Sequence, residues 1–94
     1  MVQAYRQELS GLRQDVEALA GLLDQSPDPV RAQLVAEQAL AHTQMGQETL
    51  APQRQAVALA AEALRDWAVG AEDRQIAEAA LLQAILTLEE AGDQ

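Results

Sequence analysis

Residues 2–23 read VQAYRQELSGLRQDVEALAGLL. Within this stretch Val2, Tyr5, Leu9, Leu12, Val16, Leu19 and Leu23 stand alternately three and four residues apart. Side chains on a strand return to the same face every second residue, whereas an apolar alternation of three and four keeps one stripe of a helix turned toward a neighbouring helix. The stretch is therefore a helix with coiled-coil-like heptads. Its roughly three heptads are short for a free-standing coiled coil, so the seam serves either packing inside a bundle or pairing between chains.

The charges beside the seam bear on orientation. With Val2, Leu9, Val16 and Leu23 at the a positions, Arg6 and Arg13 fall at e while Glu8 and Asp15 fall at g. In a parallel homodimer Glu8 meets the partner's Arg13, and in an antiparallel one like charges meet, so self-pairing through this seam favours the parallel arrangement. Exposed pairs of this kind contribute only about 0.2 to 1 kcal/mol, enough to select an orientation and too little to drive assembly. Gly11 and Gly21 are read on the outer face, where each costs about 1 kcal/mol relative to alanine.

Three breaks divide the rest of the chain. In Ser26-Pro27-Asp28-Pro29, Asp28 suits a helix N-cap and Pro29 the first helical position, where no amide donor is needed. In Gly46-Gln47-Glu48-Thr49, Gly46 suits a left-handed C-terminal cap and Thr49 the next N-cap, with Pro52 in the first turn. Gly70 ends a third helix, and Glu72 and Asp73 suit the positive end of a fourth. The spacing predicts helices over 2–25, 29–45, 50–69 and 72–91 within a single domain. Short connections place successive helices antiparallel, giving an all-α antiparallel four-helix bundle or two stacked helical hairpins.

The core stripes are expected from Val30, Leu34, Ala41 and Met45 on the second helix, widened by Val35 and Leu40. On the third they are Leu50, Val57, Leu64 and Ala71, with Ala60, Ala61, Trp67 and Ala68 between. On the fourth, Ile76, Ala79, Ala80, Leu82, Ile85 and Leu86 are expected to face the core, while Leu81 and Leu88 extend the apolar arc beyond what one neighbour covers.

Composition narrows function. The chain has 94 residues, 49% hydrophobic yet only 2% aromatic, with a formal net charge of −9 and no cysteine. Absence of cysteine removes disulfides, thiolate zinc sites and cysteine nucleophiles. All six basic residues are arginines scattered singly, whereas phosphate backbones require clustered cations, so no nucleic-acid partner is expected. No stretch reaches the ~18 apolar residues of a membrane span, and the start lacks the pattern of a signal peptide, so no membrane association and a cytoplasmic location are expected.

Catalytic and metal patterns fail on residue type and spacing. A carboxylate-bridged di-iron bundle needs two Glu-x-x-His repeats, and His42 is the single histidine, with Ala39 three residues before it. Its neighbours one turn away, Gln38, Ala39, Met45 and Gly46, supply no second ligand, which makes His42 a rim or surface residue. Thr43 adjoins it, but adjacent helical residues diverge. The pairs Glu72 with Asp73 and Glu89 with Glu90 read as solvated helix ends. No enzyme, cofactor or metal is expected. The run Ala56 to Leu64 resembles the second helix of a tetratricopeptide repeat, yet the preceding helix lacks that family's pattern and no 34-residue period exists, so the likeness is one of helix physics.

The expected role is a non-enzymatic helical module that binds protein, as a homodimer or as a small subunit of an assembly. The residues expected at the contact are Val2, Tyr5, Leu9, Leu12, Val16, Leu19 and Leu23, together with Leu81 and Leu88. Two other readings start from different features. The −9 charge suits an acidic regulator or inhibitor covering a basic surface of a partner protein. A cavity between alanine-rich helices would suit a small ligand or a reaction.

Overall fold

The computed structural model describes residues 2–24, 28–44 and 50–92, with side-chain surroundings described for 6–24, 28–43 and 50–91. Four helices run through these residues: α1 (Val2–Asp24), α2 (Pro29–Gln44), α3 (Ala51–Ala68) and α4 (Arg74–Gly92). They form a four-helix bundle measuring 41 × 21 × 18 Å. Its long axis matches the helices, since 19 to 23 residues of helix at about 1.5 Å each span roughly 30 to 35 Å.

The breaks behave as local chemistry dictates. Asp28 Oδ1 accepts from the Val30 amide at 3.0 Å and its carbonyl accepts from Ala32 at 2.9 Å, so Asp28 caps α2 with Pro29 at the first position. At the end of α3, Gly70 has φ +81°. Its amide donates to Trp67 O at 3.0 Å, and the Ala71 amide donates to Asp66 O at 2.8 Å, the paired bonds of a Schellman cap. Helix α4 begins at Arg74, two residues later than expected, because Glu72 Oε1 accepts from the Asp73 amide and Asp73 O accepts from Ala77, leaving Asp73 as the cap. Ser26, Pro27, Gly46 and Thr49 lie outside the described residues. Leu50 stands at the N-cap of α3 in the left-handed region (φ 61°), without a side-chain cap.

Buried positions recur at spacings of three and four on every helix. They are Leu9, Leu12, Val16 and Leu19 on α1, and Ala32, Ala36 and Ala39 on α2. On α3 they include Val57, Ala61 and Leu64, and on α4 Ala77, Leu81, Ala84, Leu88 and Ala91. This is the spacing by which ridges of one helix fit grooves of the next.

Two stripes differ from expectation. On α2, Val30 and Leu34 are 65% and 63% exposed, Ala41 is exposed, and Met45 lies outside the described residues; the alanine face points inward instead. On α4, Ile76, Leu82 and Leu86 are exposed and Ala79 too, while Leu81 and Leu88, read as surplus, are in the core. Ala71, expected on the α3 stripe, is also exposed.

The reason lies in α3. Its backbone lies against those of α2 and α4 more extensively than α1 lies against any of the three. Helices meeting through alanine approach near the lower limit of interaxial distance, where backbones contact each other and larger residues do not fit. Alanine therefore wins the inner face of α2, and the leucines of α1 fill the wider space above.

Candidate interaction surface

His42, Thr43 and Thr87 each hold a contact within the bundle. His42 on α2 bonds Asp15 on α1, Nδ1 to Oδ2 at 2.6 Å, and its ring lies over Gly11. A Cβ built on Gly11 would stand 2.6 Å from His42 Cε1, closer than atoms tolerate. Gly11 thus faces the α1–α2 interface rather than the outer face, and His42 has a carboxylate partner from another helix. The Thr43 hydroxyl donates to Leu40 O at 2.8 Å, and that of Thr87 to Gln83 O at 2.7 Å, so both bond back onto their own helices.

Arg54 is 8% exposed and pairs with Glu8 across the α1–α3 contact. Glu8 Oε2 is buried without a hydrogen-bond partner among the described residues. At the opposite end Arg74 joins three helices. Its Nε donates to Glu78 at 2.8 Å, its second terminal nitrogen donates to the Leu23 carbonyl at 3.1 Å, and its guanidinium stands 5.7 Å from the Trp67 ring. The free carbonyl at the end of α1 is thereby satisfied by a cation, where the helix dipole is negative. No group of three or more His, Cys, Asp or Glu able to hold a metal ion occurs among the described residues.

The residues expected at a protein contact divide as follows. Leu9, Leu12, Val16, Leu19, Leu81 and Leu88 are buried within the chain, and Leu23 packs partly buried against them. The side chains of Val2 and Tyr5 lie outside those described. The α1 seam is thus engaged by α2, α3 and α4 of the same chain.

What stays open lies along the groove between α1 and α4. A hollow of about 290 Å³ is lined by Val16, Ala20, Ile85 and Leu88, with Arg13, Glu17 and Glu89 at its rim. Spacing places Leu82 and Leu86 on the outer side of Ile85, one turn or less away, and they are 56% and 45% exposed. A second hollow of about 310 Å³ continues past Arg13 along α1 and is lined by Arg6, Leu9, Ser10 and Arg13. Sequence reading placed Leu82 and Leu86 in the core and so missed them as surface. Their signal was available in the competing register Ala77, Leu81, Ala84, Leu88, Ala91, whose strict alternation of four and three matches α1.

No helix among the described residues is long and apolar enough to cross a membrane. Comparison with family models, curated proteins and solved structures gives no match.

Proposed function

We propose that this chain is a non-enzymatic protein-binding module whose contact surface is the α1–α4 groove and the adjoining outer stripe of α4. The observation that carries this reading is the cluster of Ile85, Leu82 and Leu86 beside an apolar hollow, an arrangement that gains from being covered. Interfaces of this type take a protruding apolar anchor into the groove and leave charged residues at the rim, the role open to Arg13, Glu17 and Glu89 here.

Photo-crosslinking in the cells that make the protein tests this. A photoreactive residue at position 82 or 86 is expected to trap protein, one at Gln38 on the exposed side of α2 is not, and Ile85→Asp is expected to abolish trapping. Equal trapping at 38 and 82, or trapping untouched by Ile85→Asp, would refute the assignment.

A second reading rests on charge. Fifteen acidic residues against six basic ones favour an acidic regulator that covers a basic protein surface. Such a complex would lose affinity steeply with added salt, whereas a groove-centred apolar contact would not.

A further inference from the structure

We infer that the occupant of the α1–α4 face is a second copy of this chain, docked about a two-fold axis that passes between Arg13 and Glu17 of α1. This rests on the reading of that face as the contact surface. The argument comes from the order of charge along α1. Arg6, Arg13, Glu17, Ala20 and Asp24 share one side of the helix at spacings of seven, four, three and four, and Arg13, Glu17 and Ala20 line the groove toward α4. Neither arginine and neither acid has an ion-pair partner among the described residues, in contrast to Arg54, Arg65 and Arg74.

The face is therefore polar from end to end. Two arginines stand at one end, with Glu89 beside Arg13 in the lining of the groove. Glu17 and Asp24 follow toward the other end, where Glu78 is already neutralised by Arg74. Where the two signs meet, between Arg13 and Glu17, Ile85 lines the groove beside them. Turning a second copy end over end about the level of residue 15 sets Arg6 and Arg13 against the partner's Asp24 and the partner's Glu17 and leaves Ile85 near the axis. A two-fold interface requires this self-complementarity, in which each patch meets the other's opposite.

A foreign partner of a single charge sign would be attracted by one end and repelled by the other. The net charge of −9 on each copy opposes approach at long range, but at about 0.15 M salt the screening length is roughly 8 Å and pairs at contact dominate. In this arrangement the two copies of α1 run antiparallel, the reverse of what pairing through the buried seam would favour.

The test uses the full chain at about 0.15 M salt, with mass followed by sedimentation equilibrium over a dilution series. The unaltered chain is expected to dimerise reversibly. Arg6→Glu with Arg13→Glu makes these four charges on the α1 side all acidic, and Glu17→Arg with Asp24→Arg makes them all basic. Each double variant alone is expected to dimerise about tenfold or more weakly, and an equimolar mixture of the two is expected to restore a mixed dimer. If a reversal variant fails to fold, Arg13→Gln and Asp24→Asn carry the same test, each weakening the dimer. A chain that remains monomeric at all concentrations, or a dimer indifferent to both reversals, would overturn the inference. A monomer that still crosslinks other proteins through position 82 would leave the contact surface standing and reject only the second copy as its occupant.

Discussion

Arg54 of α3 and Glu8 of α1 meet inside the bundle although 46 residues separate them in the chain. Arginine at 8% exposure needs a compensating charge, because an ion without one in a poorly polarisable interior is strongly disfavoured. Glu8 supplies charge of this kind across the α1–α3 contact, but its second oxygen is buried without a donor among the described residues, which costs part of what the pair gains.

The expected behaviour is asymmetric. Glu8→Ala alone removes this partner of Arg54 and should lower unfolding free energy by about 2 to 3 kcal/mol, while Glu8→Met combined with Arg54→Leu, which removes the buried cation as well, should recover part of that loss. Chemical denaturation of the single and double variants checks this. A double variant less stable than Glu8→Ala would show that the pair contributes net stability.

Gly11 and His42 form a second coupled pair. Alanine at an exposed helix position normally stabilises by about 0.5 to 1 kcal/mol relative to glycine. At Gly11 the new Cβ displaces the His42 ring from Asp15, so the gain should be largely cancelled. In the background of His42→Ala the same Gly11→Ala change should recover its full stabilising effect. Thermal unfolding of the four members of this cycle measures the coupling, and equal effects in both backgrounds would contradict the close approach.

Two other glycines separate backbone conformation from crowding. Neither has a neighbour within 4 Å of an added Cβ. Gly21 lies in helical backbone and Gly70 at φ +81°, so Gly21→Ala should stabilise by about 0.5 to 1 kcal/mol and Gly70→Ala should destabilise by about 1 kcal/mol. Opposite shifts in midpoint temperature are the expected reading.

The inner face of α2 is open to direct test. Ala36→Leu forces bulk between α2 and its neighbours and should cost about 1 to 3 kcal/mol or more, whereas Leu34→Ala on the exposed side should change stability by less than about 0.5 kcal/mol. The reverse ranking would restore the stripe that runs through Val30 and Leu34.

Arg74 ties the ends of three helices together. Arg74→Ala should cost about 1 kcal/mol through loss of the Leu23 carbonyl contact, the Glu78 pair and the ring contact, and should shift the fluorescence of Trp67, the sole tryptophan. Arg74→Lys retains charge without the planar fork and should recover only part of this. An unchanged emission spectrum would place Arg74 away from the indole.

Helix number, order and most boundaries were legible from the residues because capping and turn formation are local. Asp28 with Pro29 and Gly70 with its flanking amides need no information from elsewhere in the chain. The seam on α1 was legible for the same kind of reason: its large residues all fall on one side. On α2 and α4 both sides carry apolar residues, and size was a poor guide. Whether alanine or leucine turns inward depends on how closely another backbone approaches, and this is settled only when α3 lies between the two.

Contact chemistry divides the same way. The sequence alone determined that the helices exist, that cysteine chemistry is absent and that acid outweighs base. Only the tertiary structure decided that His42 meets Asp15 across 27 residues, that Arg54 is buried on Glu8, and that Leu82 and Leu86, not Leu81 and Leu88, face solvent. Propensity and capping act over a few residues, while burial is a property of the space between helices, which no single helix carries in its own pattern.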